Sequence, residues 1–172
     1  MTAVGWHFLL GLHAALTAVD GSRQTFDFGA PKATAVVFLS TVCPVANDYN
    51  QRLGALWSEF GGRREVRFLA VYPNKTESLE DMRRHAAAMG FPFPVYRDDN
   101  NVLADRLGAS VTPSAVVTGA DGAVRYLGPI DDAVNPARVK RQLLREAIRS
   151  TLAGGGRRRR QTGATSIVVP YG

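Results

Sequence analysis

The sequence has few of the residues that hold metals or disulfides. Its 172 residues include one cysteine, Cys43, and three histidines, His7, His13 and His85. A single cysteine excludes an intrachain disulfide framework, and the histidines are too widely scattered to form a metal-ligand motif. The chain also lacks a phosphate-binding loop and a dinucleotide-binding fingerprint. We therefore expect neither a metal centre nor a bound cofactor.

A long apolar segment is also missing. Gly5 to Val19, GWHFLLGLHAALTAV, is apolar but short, because a transmembrane helix needs ~20 such residues. No Lys or Arg precedes it, and no clean signal-cleavage site follows it. The sequence predicts no integral membrane span and an apolar N-terminal extension over residues 1–15. A signal segment over residues 1–20 is the alternative; it would imply export, whereas a cytoplasmic location is otherwise favoured.

The excess of basic charge is concentrated at one end of the chain. The formal net charge is +6, but four of the 21 basic residues are Arg157 to Arg160, which leaves 17 against 15 acidic residues elsewhere. The basic character therefore belongs to a Gly/Arg-rich tail, residues 154–172, which we expect to be flexible and solvated. Contact of this tail with nucleic acid or anionic lipid is the alternative. For the rest of the chain, no specific nucleic-acid partner is expected.

Residues 16–153 carry the pattern of one α/β domain. Two apolar runs of strand length, Thr34 to Leu39 and Val66 to Pro73, are separated by residues at helical spacing, which predicts parallel strands with a right-handed crossover. The pairs Asp20-Gly21 and Asp121-Gly122 predict hairpin turns near the two ends. The expected order is hairpin, β, α, β, α, β, short α, hairpin, α. We therefore predict a three-layer sandwich with a mixed central sheet.

Three elements of this pattern have bounds that the structure can test. A helix with one apolar face is expected from Pro44 to Phe60. The stretch FPFPVYRD, residues 91–98, is predicted to be a short strand near a sheet edge because prolines interrupt it. The last helix is expected over residues 135–152, and Gly/Arg-rich sequence follows it.

Cys43 lies where a buried strand is followed by a helix. In an α/β sheet the carboxyl end of a central strand is where ligands and chemistry gather. At the start of a helix, free backbone N–H groups and the positive end of the macrodipole favour a thiolate, which is the nucleophilic form. Pro44 suits the first helical turn. The alternative is that Cys43 is an inert, buried small hydrophobe.

Two segments resemble known redox proteins. FLSTVCPVA resembles the active-site segment of thioredoxin-fold proteins, and GASVTPSAVVTGADGAVRYLG resembles the second half of that fold. The chain is similar to redoxins of the alkyl hydroperoxide reductase/thiol-specific antioxidant superfamily, close to its thioredoxin-like members. The resemblance implies a thioredoxin-like fold, and it implies that Pro113, preceded by Thr112, is a cis-proline beside Cys43.

The sequence departs from these families at the residues that carry their chemistry. Ala46 replaces the second cysteine of the thioredoxin dithiol, so an intramolecular disulfide cycle is impossible. In the peroxiredoxin motif Ser40 fills the hydroxyl position, but Val36 stands where that motif has proline. The motif arginine would fall near Thr112, and none is present there; Arg97 and Arg125 are the candidates to replace it in space.

The resemblance implies a thiol-dependent oxidoreductase with one nucleophilic cysteine, Cys43. It would reduce a peroxide or exchange with the disulfide of a partner protein, and an external thiol, either a thioredoxin-like protein or a small thiol, would resolve it. Ser40 would donate a hydrogen bond to sulfur or substrate, while Thr112 and Pro113 would form the substrate groove. The alternative is a non-catalytic thioredoxin-fold module that binds an extended polypeptide at the cis-proline edge.

The sequence pattern predicts no catalytic role for two other sets of polar residues. Arg83, Arg84 and His85 fall on a helix and are expected to face solvent, with contact between His85 and a partner as the alternative. Asp98 and Asp99 are adjacent, and adjacent residues of a strand point to opposite faces. They are therefore expected to form a solvated turn rather than a catalytic carboxylate pair.

Overall fold

The computed structural model describes residues 11–155, 159–160 and 169–170. The strands are β1 (His13–Ala18), β2 (Arg23–Asp27), β3 (Ala33–Phe38), β4 (Val66–Tyr72), β5 (Val95–Arg97), β6 (Val111–Thr112), β7 (Ser114–Gly119), β8 (Val124–Gly128), β9 (Arg159–Arg160) and β10 (Val169–Pro170). The helices are α1 (Pro44–Asn47), α2 (Asn50–Phe60), α3 (Leu79–Met89), α4 (Val102–Leu107) and α5 (Leu143–Leu152).

The strands form a mixed central sheet in the order β2-β1-β5-β4-β3-β7-β8-β9. The predicted parallel pairing is confirmed, because Ala33 lies opposite Val66 and the β3–β4 register continues to Phe38 opposite Val71. On its other side β3 pairs with β7 in the antiparallel sense. All six residues of β3 are buried, as expected of a strand covered on both faces.

Side chains of β3 alternate between two apolar layers. Ala35 and Val37 belong to a core that includes residues of α2, α3 and α5. Val36 and Phe38 belong to a second core, which includes residues of α4. Because successive residues of a strand point to opposite faces, this alternation places helices on both sides of the sheet. The predicted three-layer α/β sandwich is confirmed.

Both predicted hairpins are present. Strands β1 and β2 pair around Asp20-Gly21, and β7 and β8 pair around Asp121-Gly122. Gly21 and Gly122 have φ of +88° and +72°, a backbone region that glycine adopts without steric cost. Strand β1 begins at His13, three residues before the predicted domain start, because His13 pairs with Asp27. Residues 1–10 of the predicted N-terminal extension lie outside the described residues.

Three sequence expectations are wrong in detail. Strand β5 lies between β1 and β4 rather than near an edge, because Pro92 and Pro94 precede the hydrogen-bonded residues instead of interrupting them. The first long helix is split, with a turn at residues 48–49 between α1 and α2. The last helix begins at Leu143, since the expected residues from Asn135 first form a 3-10 turn.

Parts of the predicted flexible tail pair with the domain. Strand β9 lies parallel to β8, with Arg159 opposite Tyr126. Strand β10 is antiparallel to β6, with Val169 opposite Thr112. The remainder of the tail beyond Gly155 lies outside the described residues. Within the described ranges, no helix has the length and apolarity needed to cross a membrane.

Candidate functional site

Cys43 lies at the carboxyl end of β3, at the N-cap position of α1. Its backbone is extended, with φ −91° and ψ 105°, and Pro44 is the first helical residue. Helix α1 has only four residues, so few aligned peptide dipoles stand behind the sulfur. Electrostatic support for a thiolate from this helix is therefore smaller than the expected helix from Pro44 to Phe60 would give.

The sulfur of Cys43 meets the residue that precedes Pro113. The thiol donates to the carbonyl oxygen of Thr112 at 3.6 Å, and the Thr112–Pro113 peptide bond is cis. The sheet brings these distant segments together, because Ser114 at the start of β7 lies opposite Phe38 at the end of β3. Cys43, Thr112 and Pro113 are all buried, and the cysteine has no exposed surface.

The Ser40 hydroxyl is bonded to a carboxylate and to the backbone of its own loop. It donates to Oε1 of Glu77 at 2.5 Å and accepts from the backbone N–H of Val42 at 3.3 Å. Ser40 is thus part of the loop that leads to Cys43, but its proton goes to a carboxylate. The geometry gives Ser40 the task of holding the loop rather than that of donating to the sulfur.

Glu77 is a buried acid that the sequence pattern did not identify. Its Oε1 also accepts from the backbone N–H of Thr41 at 3.1 Å and from the Asn74 side chain at 3.3 Å. The residue is 4% exposed, and its other oxygen, Oε2, is buried without a hydrogen-bond partner among the described residues. In sequence Glu77 is one polar residue of a loop, PNKTES, and nothing there distinguishes it from a surface acid.

A second polar chain reaches α1 from the other side of the site. Nδ1 of His85 lies 2.7 Å from the Tyr72 hydroxyl, and Nε2 of His85 lies 2.8 Å from Oδ1 of Asn47. Burial lowers the pKa of His85, and burial, aided by the Glu77 charge, raises the pKa of Tyr72 well above its ordinary value. The expectation that His85 faces solvent is therefore wrong; it joins β4, α3 and α1.

Neither arginine proposed to replace the motif arginine is free. Arg97 pairs with Asp99 at 2.6 Å, and Arg125 pairs with Asp121 at 2.6 Å. Arg125 also lies at the wrong end of the sheet, since its neighbour Val124 pairs with Thr118, far along β7 from Pro113. Each guanidinium charge is thus balanced by a carboxylate close to it in sequence.

The adjacent aspartates have separate structural roles. Asp98 is buried and accepts from the backbone N–H groups of Leu103 and Ala104, so it caps α4. Burial raises the pKa of Asp98. Asp99 accepts from Thr17 at 2.6 Å as well as from Arg97. The expectation that the two aspartates form a solvated turn is therefore wrong. Among the residues the structure describes, no group of three or more His, Cys, Asp or Glu side chains is arranged to hold a metal.

Comparison with known proteins places this chain in a family. A model of the AhpC/TSA family matches residues 14–127, well over half of the chain and including Cys43, Thr112 and Pro113. A search of curated proteins gave no match.

Solved structures share the fold over most of the chain. An uncharacterized conserved protein from Geobacillus kaustophilus is 27% identical with a TM-score of 0.73, and the match covers 86% of this chain and 82% of that one. A thioredoxin-like protein from Aeropyrum pernix is 17% identical with a TM-score of 0.54 over 67% and 80%. A secreted disulfide oxidoreductase from Mycobacterium tuberculosis is 18% identical with a TM-score of 0.56 over 81% and 94%. These similarities confirm the thioredoxin-like fold.

Proposed function

Since the chain belongs to the AhpC/TSA family, we propose that it is a one-cysteine thiol oxidoreductase in which Cys43 is the nucleophile. The observation that carries the proposal is the contact between the Cys43 sulfur and the carbonyl oxygen of Thr112 beside cis-Pro113. This contact supports the proposal because it joins the single thiol of the chain, near the carboxyl end of a central strand, to the segment that we propose holds the substrate.

The chemistry requires one sulfur and two external thiols. The Cys43 thiolate attacks one oxygen of a peroxide; a sulfur–oxygen bond forms as the oxygen–oxygen bond breaks, and the other oxygen takes up a proton from solvent and leaves as an alcohol or water. A first external thiol displaces water from the sulfenic acid and forms a mixed disulfide. A second thiol then releases Cys43 as the disulfide of the reductant forms. With a protein disulfide as substrate, the mixed disulfide forms directly.

The remaining site residues hold the nucleophile and shape its surroundings. Ser40 and Glu77 fix the loop before Cys43 through the 2.5 Å hydrogen bond between them. The Thr112 carbonyl accepts the thiol proton in the resting state. Because Cys43 is fully buried, a substrate reaches it when the segment that carries it shifts; Val42, the residue before it, is 66% exposed and lies at the surface.

The experiment is peroxide consumption with dithiothreitol as the reductant. Wild type is compared with Cys43→Ser, which keeps the size of the side chain and removes the nucleophile. We expect consumption by wild type and none by the variant. The same pair is tested with a small-molecule disulfide to separate the two substrate classes. Equal rates in both proteins with both substrates would remove the proposed activity.

A second candidate function is a module that binds an extended polypeptide at the cis-proline edge. The observation that favours it is β10, because Val169 and Pro170 pair in antiparallel register with Thr112 and Val111. The edge of β6 thus accepts an extended strand by β-addition. This mode needs the backbone of Thr112 and no nucleophile.

Binding of a fluorescent peptide with the sequence of residues 161–172 tests this candidate. Cys43→Ser protein is used, so that thiol chemistry plays no part. A protein ending at Gly155 should bind the peptide more tightly than the full chain, because its β6 edge is unoccupied. Equal and negligible binding by both proteins would count against a polypeptide-binding module.

A further inference from the structure

One polar side chain of helix α1 is bonded to α3. Of its four residues, Pro44, Val45, Ala46 and Asn47, only Asn47 has a polar side chain. That side chain meets Nε2 of His85 at 2.8 Å. A single turn gains little from its own backbone hydrogen bonds, because helix formation is unfavourable until several bonds have formed. The Asn47–His85 contact is therefore the polar anchor of the turn that Cys43 caps.

The hydrogen-bond partners determine where the ring proton of His85 lies. Asn47 presents its amide oxygen, an acceptor, so Nε2 carries the proton and donates it. Nδ1 then accepts from the Tyr72 hydroxyl at 2.7 Å. Tyr72 is fully buried, so its hydroxyl has little access to water as an alternative partner. The neutral imidazole satisfies both neighbours at once.

We propose that His85 is a positioning residue for Cys43, acting through Asn47 on helix α1. This inference rests on the proposed function only in taking Cys43 as the reactive group. The chain Tyr72–His85–Asn47 links the end of β4 to the turn that begins at the cysteine. Holding this turn keeps the sulfur buried against Thr112. Release of the turn exposes the sulfur.

Acid leaves the contact with Asn47 in place. A proton added to His85 goes to Nδ1, and the Tyr72 hydroxyl, which both donates and accepts, then accepts from it. The groups packed around the ring are the Tyr72 hydroxyl from β4, the Asn47 amide from α1 and the Phe91 ring that follows α3. Glu77 is the charged group that acts on Tyr72. Because Nε2 carries its proton in both forms of the ring, we expect the hold on α1 to persist as His85 becomes charged.

The test is the rate at which Cys43 reacts with dithiodipyridine, a disulfide that also reacts with thiols in acid. Full-length wild type is compared with Asn47→Ala, His85→Ala and the double variant, each checked for folding by circular dichroism. Asn50→Ala is the matched control, because Asn50 also donates to α3, at the Met89 carbonyl, but from the first residue of α2.

At neutral pH we expect each single variant to react about two- to tenfold faster than wild type. Loss of one hydrogen bond changes the equilibrium between the buried and the exposed sulfur by about this factor. The double variant should react no faster than the singles, because both remove the same contact. Asn50→Ala should react at the wild-type rate. The difference between wild type and Asn47→Ala should persist in acid, where the charged ring still donates to Asn47.

Tyr72→Phe separates positioning of Cys43 from a general loss of stability. It removes a buried hydrogen bond of His85 but leaves the Asn47 contact in place. We expect the rate of Tyr72→Phe to match wild type at neutral and at acid pH. Asn47→Ala and Asn50→Ala reacting alike, or Tyr72→Phe reacting as fast as Asn47→Ala, would overturn the inference. Since the reaction needs no turnover, these results are independent of whether peroxide is consumed.

Discussion

The Cys43 thiol and the Thr112 carbonyl oxygen are joined by a 3.6 Å hydrogen bond across 69 positions of the chain. The contact fixes the single cysteine against the residue before the cis-proline. It also keeps the sulfur fully buried in the resting structure. The surroundings of the proposed nucleophile therefore depend on the few residues packed around it.

Replacing Thr112 by valine should stabilise the protein. The Thr112 hydroxyl is buried without a hydrogen-bond partner among the described residues, and burying such a group costs free energy. Thr112→Val keeps the shape and removes the polar atom, so we expect the free energy of unfolding in urea to rise by about 1 kcal/mol. A fall of the same size would mean that the hydroxyl has a partner.

Introducing the missing motif arginine at position 112 should not increase peroxide consumption. The residue is 1% exposed, so Thr112→Arg would bury an unpaired charge in a packed site. We expect a loss of ~3 kcal/mol or more in stability and no gain in peroxide consumption. Urea unfolding followed by the peroxide assay measures both. A stable variant with faster turnover would contradict the packing seen around Thr112.

Glu77 should contribute to stability through its acceptor oxygen. Glu77→Ala leaves the Ser40 hydroxyl and the Thr41 N–H without their acceptor, which should cost about 1–3 kcal/mol for each buried group. Glu77→Gln retains an acceptor oxygen and should lose less. The urea unfolding midpoints of the two variants measure these losses of stability. Equal losses would show that the loop requires the charge of the carboxylate.

His85 should make stability fall in acid. Its folded pKa lies below the ordinary value of 6.5 because of burial, so the unfolded chain takes up the proton first. This contribution is fully present above 6.5 and is lost as pH falls through the folded pKa. Asp98 and Asp131 have raised pKa values and act in the opposite sense. The contribution of His85 is therefore measured as the difference in Tm between wild type and His85→Phe. This difference should shrink as pH falls from about 7.5 to about 5.5.

Cys43 should be overoxidised readily by excess peroxide. The chain has no second cysteine to intercept a sulfenic acid, and peroxide converts unresolved sulfenic acid to sulfinic and sulfonic acids. Mass spectrometry after peroxide treatment should show two and three added oxygen atoms on Cys43. Dimedone present during the reaction should trap the sulfenic acid and reduce both products. A cysteine left unmodified even at high peroxide would favour the polypeptide-binding module.

Local patterns predicted most of the fold. The apolar runs of β3 and β4 predicted buried parallel strands, and the Asp-Gly pairs predicted both hairpins, because these features depend on nearby residues. The Gly21 turn needs a positive φ, which its sequence already permits. The position of Cys43 at the end of a buried strand followed from the same periodicity.

Local patterns failed where distant segments decide the outcome. Apolar spacing from Val45 to Phe60 is continuous, yet the helix breaks at residues 48–49. On the two sides of the break, Asn47 and Asn50 are both hydrogen-bonded to residues of α3. The prolines before β5 suggested an edge strand, but the β1–β2 hairpin lies beyond it in the sheet. Neither outcome is encoded in the neighbouring residues.

Residue identity and short-range spacing predicted the strand and helix order, the two hairpins, and a single thiol with no second cysteine. Long-range packing set which polar groups hold the segments before and after that thiol. Glu77, Tyr72 and His85 come from other segments, and only the packing of β4 and α3 against the Cys43 loop brings them there. Buried polar groups must find partners wherever the fold places them, and those partners lie far away in sequence.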